Sequence, residues 1–185
     1  MGKIAVVFPG IGYTKDRPLL YYTGKMAVKN GYQLRFIDYS EVDCDKGKLK
    51  EQLYVDFILD EYLRITEQKL IDLGDMKKDQ LIFISKSLGT VVATAYARNK
   101  SLKVKHICFS PLEMIGSFIN EGEGILFYGD NDPFADYRII EQTIKEKNLD
   151  SYRIGGGNHS LETGDVITDI DNLKIIMQMV YGFKE

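Results

Sequence analysis

The sequence has no tryptophan, only two histidines and only two cysteines. Cys44 and Cys108 show no metal-ligand spacing, and two thiols build no disulfide framework, so a reduced compartment is expected. No apolar run approaches the roughly 20 residues that a membrane span needs. Met1-Gly2-Lys3 is followed by five apolar residues before Pro9, too few for the apolar region of a secretory signal. Met1-Gly2 opens like a myristoylation site, but Val6 stands where Ser or Thr is required. A surplus of one charge is also missing: the net charge is −3, with acids and bases interspersed. That leaves no basic field for nucleic acid and no acidic tail. There is no repeat, low-complexity tract or linker. The absences point to a soluble cytoplasmic protein without a nucleic-acid or membrane partner, and they leave monomer and dimer both open.

What is present is ordinary globular material. The 185 residues suit one domain over 1–185, long enough to bury roughly 70% of the unfolded surface. Apolar residues make up 44% and charged residues 28%, and 12 Tyr and 9 Phe supply the aromatic surface. Short apolar runs alternate with longer helical patterns. Strands are predicted at 4–8, 32–38, 81–84, 104–109, 124–128 and 151–154. Several are continuously apolar, as in a parallel sheet covered on both faces. Helices are predicted at 19–30, ended by Gly31, and at 49–72, with Leu49, Leu53 and Phe57 spaced four apart and Gly74 beyond the end. Further helices are predicted at 88–99, at 136–147 with Ile140 and Ile144, and near the C-terminus along Ile170, Leu173, Met177 and Val180. The pattern predicts an α/β fold: a doubly wound, about six-stranded, mostly parallel sheet flanked by helices. Sites in such sheets form beyond the carboxyl ends of the strands.

The richest of these ends is Ser85-Lys86-Ser87-Leu88-Gly89. A strand turning into a helix around a serine builds a nucleophile elbow, with small residues two positions to either side; Ser85 and Gly89 meet that demand. The turn aims the Leu88 amide toward an oxyanion. A serine before a helix can also be a plain N-cap. Lys86 reads as a solvated side chain without a role. The first strand ends in Pro9-Gly10-Ile11-Gly12-Tyr13, where Ile11 or Gly12 can supply a second oxyanion amide, or where the glycines form a simple turn. Gly10-x-Gly12 also resembles part of a dinucleotide loop with Asp38 after the second strand. Lys15 stands where the third glycine belongs, however, and the helix is delayed by Asp16-Arg17-Pro18. The fifth strand ends in Gly129-Asp130-Asn131-Asp132-Pro133-Phe134, whose acids can orient an imidazole, shape the turn or cap the next helix. The sixth ends in Gly155-Gly156-Gly157-Asn158-His159. His106, inside a strand, reads as structural.

Serine, acid and histidine thus each follow a different strand, in the order of one known hydrolase architecture. On Phe8–Gly12, Ser85–Gly89, Gly129–Phe134 and Gly157–Leu161 the chain resembles the α/β-hydrolase family, specifically its small single-domain serine hydrolases without a cap. The resemblance covers most of the chain. It implies a reduced α/β-hydrolase fold and a catalytic triad of Ser87, Asp132 and His159, since the acid of Gly-x-x-Asp-Pro is the family's triad member. It also implies an oxyanion hole from Leu88 with Ile11 or Gly12. The chain departs from the family pattern in Pro9 before Gly10, Ser85 for glycine, and the missing first two antiparallel strands. No metal or organic cofactor is implied. The substrate implied is a small-molecule ester or thioester, with Tyr13, Met114, Phe118 and Phe134 expected along the acyl pocket. The apolar segment 111–119 either lines that pocket or packs as a short helix on the core. A non-catalytic binding protein of the same fold and a nucleotide-binding α/β protein are the alternatives.

Overall fold

The computed structural model describes residues 2–48, 51–73 and 80–183. Six strands, β1 (Lys3–Phe8), β2 (Tyr32–Phe36), β3 (Leu81–Lys86), β4 (Lys105–Phe109), β5 (Gly124–Gly129) and β6 (Asp150–Ile154), form one sheet in the order β2-β1-β3-β4-β5-β6. Every neighbouring pair is parallel. Among the described residues five α-helices flank the sheet: α1 (Pro18–Lys29), α2 (Gln52–Lys69), α3 (Leu88–Asn99), α4 (Tyr137–Glu146) and, after the last strand, α5 (Val166–Phe183). Among the described residues no strand of the sheet is antiparallel. No helix among them is long and apolar enough to cross a membrane.

Burial explains the strand sequences. β3 and β5 are buried at all six positions, and β1 at five, so each is apolar throughout most of its length. β2 and β6 are the edges and carry polar residues between apolar ones. On one face Val6, Phe8 and Phe83 pack with Ile58, Tyr62 and Ile65 of α2 and Val91, Val92 and Tyr96 of α3. On the other, Ala5, Val7, Ile84 and Phe109 pack with Leu20 of α1 and Ile176 and Val180 of α5. Cys108, Leu126 and Tyr128 meet α4 through Ile140, together with Ile115 and Ile119.

Two helical stripes differ from expectation. Leu53 and Phe57 of α2 are exposed, at 85% and 54%. The buried stripe is Ile58, Tyr62 and Ile65, and the Tyr62 ring stacks on Tyr39 at 3.8 Å between centroids. Leu49 and Gly74 lie outside the described residues. In α5 Ile170 is exposed, and Ile176 takes the central buried place. His106 is buried edge-on to Phe83, and burial pushes its pKa down to about 3, so it is a neutral core residue as expected.

The segment behind β5 and β6 is tightly built. A Cβ at Gly129 would overlap the backbone of Gly157, which has no room to yield. Gly129→Ala is expected to cost about 2–3 kcal/mol. Thermal unfolding would register this as a fall of roughly 5–10 °C in Tm for a domain of this size.

Candidate active site

Ser87 joins β3 to α3 with φ 56° and ψ −128°, a backbone conformation that L-residues avoid and that costs of order 1–3 kcal/mol. Bonds on both sides hold it there. Its amide donates to the Phe109 carbonyl at 3.0 Å, and its carbonyl accepts from the Thr90 amide at 2.9 Å and the Thr90 hydroxyl at 2.7 Å. A Cβ at Gly89 would run into the carbonyls of Phe8 and Pro9, so only glycine lets α3 start this close to β1. Ser85 is fully buried with its hydroxyl toward the Ile107 carbonyl at 3.3 Å. Ser87 precedes the helix but its side chain makes no capping bond. The hydroxyl is bonded instead to His159 Nε2 at 2.7 Å.

The opposite imidazole nitrogen, Nδ1, lies 2.7 Å from Asp132 Oδ2. The Asp132 side chain is only 3% exposed. Its other oxygen accepts from the Phe134 amide at 2.9 Å, which fixes the carboxylate. Asp130 serves the loop instead. It accepts from the Gly156 amide at 2.6 Å and so ties the β5 turn to the glycine run. Neither acid caps α4; Asp136 does, through the Arg138 amide. The glycine run is bonded in place by Gly157, whose amide donates to Ile154 and whose carbonyl accepts from Asn131. Phe134 lies against the imidazole, 4.8 Å between centroids.

Around this row is a cavity of about 440 Å³, lined by Ile11, Gly12, Val55, Ser87, Leu88, Leu112, Glu113, Met114, Phe134 and His159. The structure therefore brings Ser87, His159, Leu88, Ile11, Gly12, Met114 and Phe134 together. It places two expected pocket residues elsewhere. Tyr13 turns to the other side of its loop, where its ring meets Lys86 Nζ at 5.1 Å and its hydroxyl accepts from the Leu19 amide at 3.4 Å. Phe118 packs on the core cluster of α2 and α3. Both readings of segment 111–119 hold in part: Glu113–Ser117 is a short 3-10 helix with Ile115 buried, while Leu112, Glu113 and Met114 face the cavity.

Sequence reasoning missed Lys86. It is 1% exposed, not solvated, and its ammonium donates to the His159 carbonyl at 2.6 Å. The Ser110 hydroxyl donates to the same carbonyl at 2.8 Å. Burial pushes the Lys86 pKa down to about 7, against the pull of Asp132 and Glu162. The available signal was its place as the last residue of a strand covered on both faces, where a solvated side chain has nowhere to go.

No family model matches the chain, and no curated protein matches it. Solved structures do. The chain is similar to Est1E from Butyrivibrio proteoclasticus, solved with ferulic acid bound, at TM-score 0.68 and 13% identity over 98% of this chain and 87% of that one. It is also similar to XC6422 from Xanthomonas campestris, an α/β serine hydrolase without a lid, at TM-score 0.65 and 14% identity over 97% and 81%. An α/β serine hydrolase homologue from Coxiella burnetii aligns at TM-score 0.59 and 14% identity over 98% and 84%. The chain has the α/β-hydrolase fold.

Proposed function

We propose that this protein is a serine hydrolase cleaving a small, uncharged carboxylic ester or thioester through an acyl-Ser87 intermediate. The observation that carries this reading is the unbroken row Ser87 Oγ, His159 Nε2, His159 Nδ1, Asp132 Oδ2, with 2.7 Å at each hydrogen bond. With its hydrogen on Nδ1 and donated to Asp132, the imidazole offers a lone pair on Nε2 to the Ser87 hydroxyl. Ser87 Oγ attacks the carbonyl carbon while its proton passes to Nε2. The oxyanion formed lies beside the Leu88 amide at the first turn of α3, where the helix end carries partial positive charge, with Ile11 or Gly12 as second donor. His159 then protonates the leaving alkoxide or thiolate. Water repeats the sequence on the acyl-enzyme, and Asp132 balances the imidazolium in both halves.

The cavity walls narrow the acyl group. Ile11, Val55, Leu112, Met114 and Phe134 are apolar, and Glu113 is the one acidic side chain lining it, its Oε1 accepting from the Asp136 amide at 2.8 Å. An acyl group ending in a carboxylate would meet apolar walls and a like charge. The nucleotide alternative has little support in the strand-one loop: α1 opens only at Pro18, with no side-chain cap, and Asp38 accepts from the Ser40 amide. A cytoplasmic location fits two cysteines that form no disulfide.

A series of p-nitrophenyl esters and acyl thioesters of rising chain length tests the reading. Turnover of neutral acyl groups is expected, with the corresponding dicarboxylic half-esters at least tenfold poorer in kcat/KM. Folded protein that turns over none of them contradicts it.

A further inference from the structure

Lys86 is the side chain that the proposed chemistry does not use and that packing alone does not explain. It is among the largest fully buried side chains of the molecule, on a central strand, next to Ser87. Burying a cation is costly, and a methionine would fill the same hydrocarbon space without that cost. The head group is also specifically placed. Nζ sits 2.6 Å from the carbonyl oxygen of His159 and 5.1 Å from the Tyr13 ring centroid, capped by that ring on one side.

We propose that Lys86 is a positioning residue: its buried ammonium grips the His159 backbone carbonyl and holds the imidazole between Ser87 and Asp132. The proposal rests on the hydrolase reading above. The glycine run ahead of Asn158 and His159 is tied at Gly156 and Gly157, and the His159 carbonyl itself is held by Lys86 and Ser110. Two donors from neighbouring strand ends, Lys86 at the end of β3 and Ser110 after β4, converge on that one carbonyl and fix the His159 backbone directly. A charged donor makes a shorter and roughly twofold stronger bond than a neutral one.

The grip is therefore sensitive to pH. The titratable and charged groups facing Lys86 are Asp132 from the β5 turn, His159 and Glu162 from the segment after β6, and Tyr13 from the β1 loop. Asp132 and Glu162 favour the ammonium; the Tyr13 phenol, pushed up to about 12 by burial, stays neutral and contributes only its ring. Desolvation outweighs both carboxylates and brings Lys86 down to about 7 from 10.5. The clamp is charge-assisted below about pH 7 and a neutral amine above it.

The test compares Lys86→Met with wild type from pH 6 to pH 9 on one ester. The expected result is a kcat at least tenfold lower in the variant at pH 6, with KM within about twofold. The wild-type advantage then shrinks several-fold as pH rises past about 7. Division by wild type removes the titration of groups common to both proteins. Lys86→Gln, which keeps a neutral donor, serves where the Met variant does not fold, and its deficit is expected to follow the same pH course. A second readout is stability. Between about pH 7 and 10.5 the unfolded chain holds the Lys86 proton and the folded chain does not, so wild-type stability rises across that window relative to the variant. A variant kcat within twofold of wild type, or a deficit constant from pH 6 to pH 9, overturns the proposal. Wild type that turns over no ester overturns the hydrolase reading instead.

Discussion

Ser87→Ala is expected to lose about 10⁴- to 10⁶-fold in kcat while KM changes little and the fold is retained. The reasoning is local. The one side-chain bond of Ser87 runs to His159 Nε2, so alanine removes the nucleophile and leaves the turn's supports in place. Those supports are backbone bonds to Phe109 and Thr90, together with the Thr90 hydroxyl, and none involves Oγ of Ser87. The variant retains the backbone conformation because the surroundings, not the side chain, enforce it. Circular dichroism and Tm close to wild type, with turnover lost, separate a chemical role from a structural one. Ser85→Ala is the contrast: a small apolar replacement in a buried strand, expected to leave kcat within about tenfold.

Asp132→Asn carries the second largest effect, about 10³- to 10⁴-fold in kcat. An asparagine keeps the acceptor for the Phe134 amide and nearly the same shape. It turns an N–H toward His159 Nδ1, 2.7 Å away, where the carboxylate had accepted. The imidazole must then carry its hydrogen on Nε2, which can no longer take the Ser87 proton. Imidazolium formed during the reaction also loses its counter-charge in a pocket where Asp132 is almost fully buried. Because both losses act in the transition state, kcat and kcat/KM fall together while KM stays near its wild-type value. Steady-state kinetics on the same ester distinguish this from a loosened binding site.

Much of this site is legible in the sequence because it lies where strands end. β3 and β5 read as apolar runs and β6 as a short strand, each followed by a residue type that chemistry needs, and parallel topology brings those ends to one edge. The bounds of α3 were legible as well, since Leu88–Asn99 is a run of small and apolar residues that suits a buried helix. The face of α2 was not. Leu53 and Phe57 form one apolar stripe and Ile58, Tyr62 and Ile65 another, and spacing alone does not say which meets the sheet. Tyr39, far away in sequence, decides it by stacking on Tyr62. Tyr13 was misplaced for a similar reason: a residue after a glycine turn has two sides to choose from, and Lys86 offers the better one. Lys86 itself was hidden because lysines are mostly exposed. Its burial follows from the position of β3 between β1 and β4, a fact of the sheet order.

The most direct measurement is the intact mass of folded protein after exposure to a fluorophosphonate, with the modified residue located by peptide sequencing. A nucleophilic Ser87 predicts a single adduct, on that residue, formed by wild type and absent from Ser87→Ala. Folded wild type that gains no adduct, or gains it on another serine, contradicts the proposed chemistry.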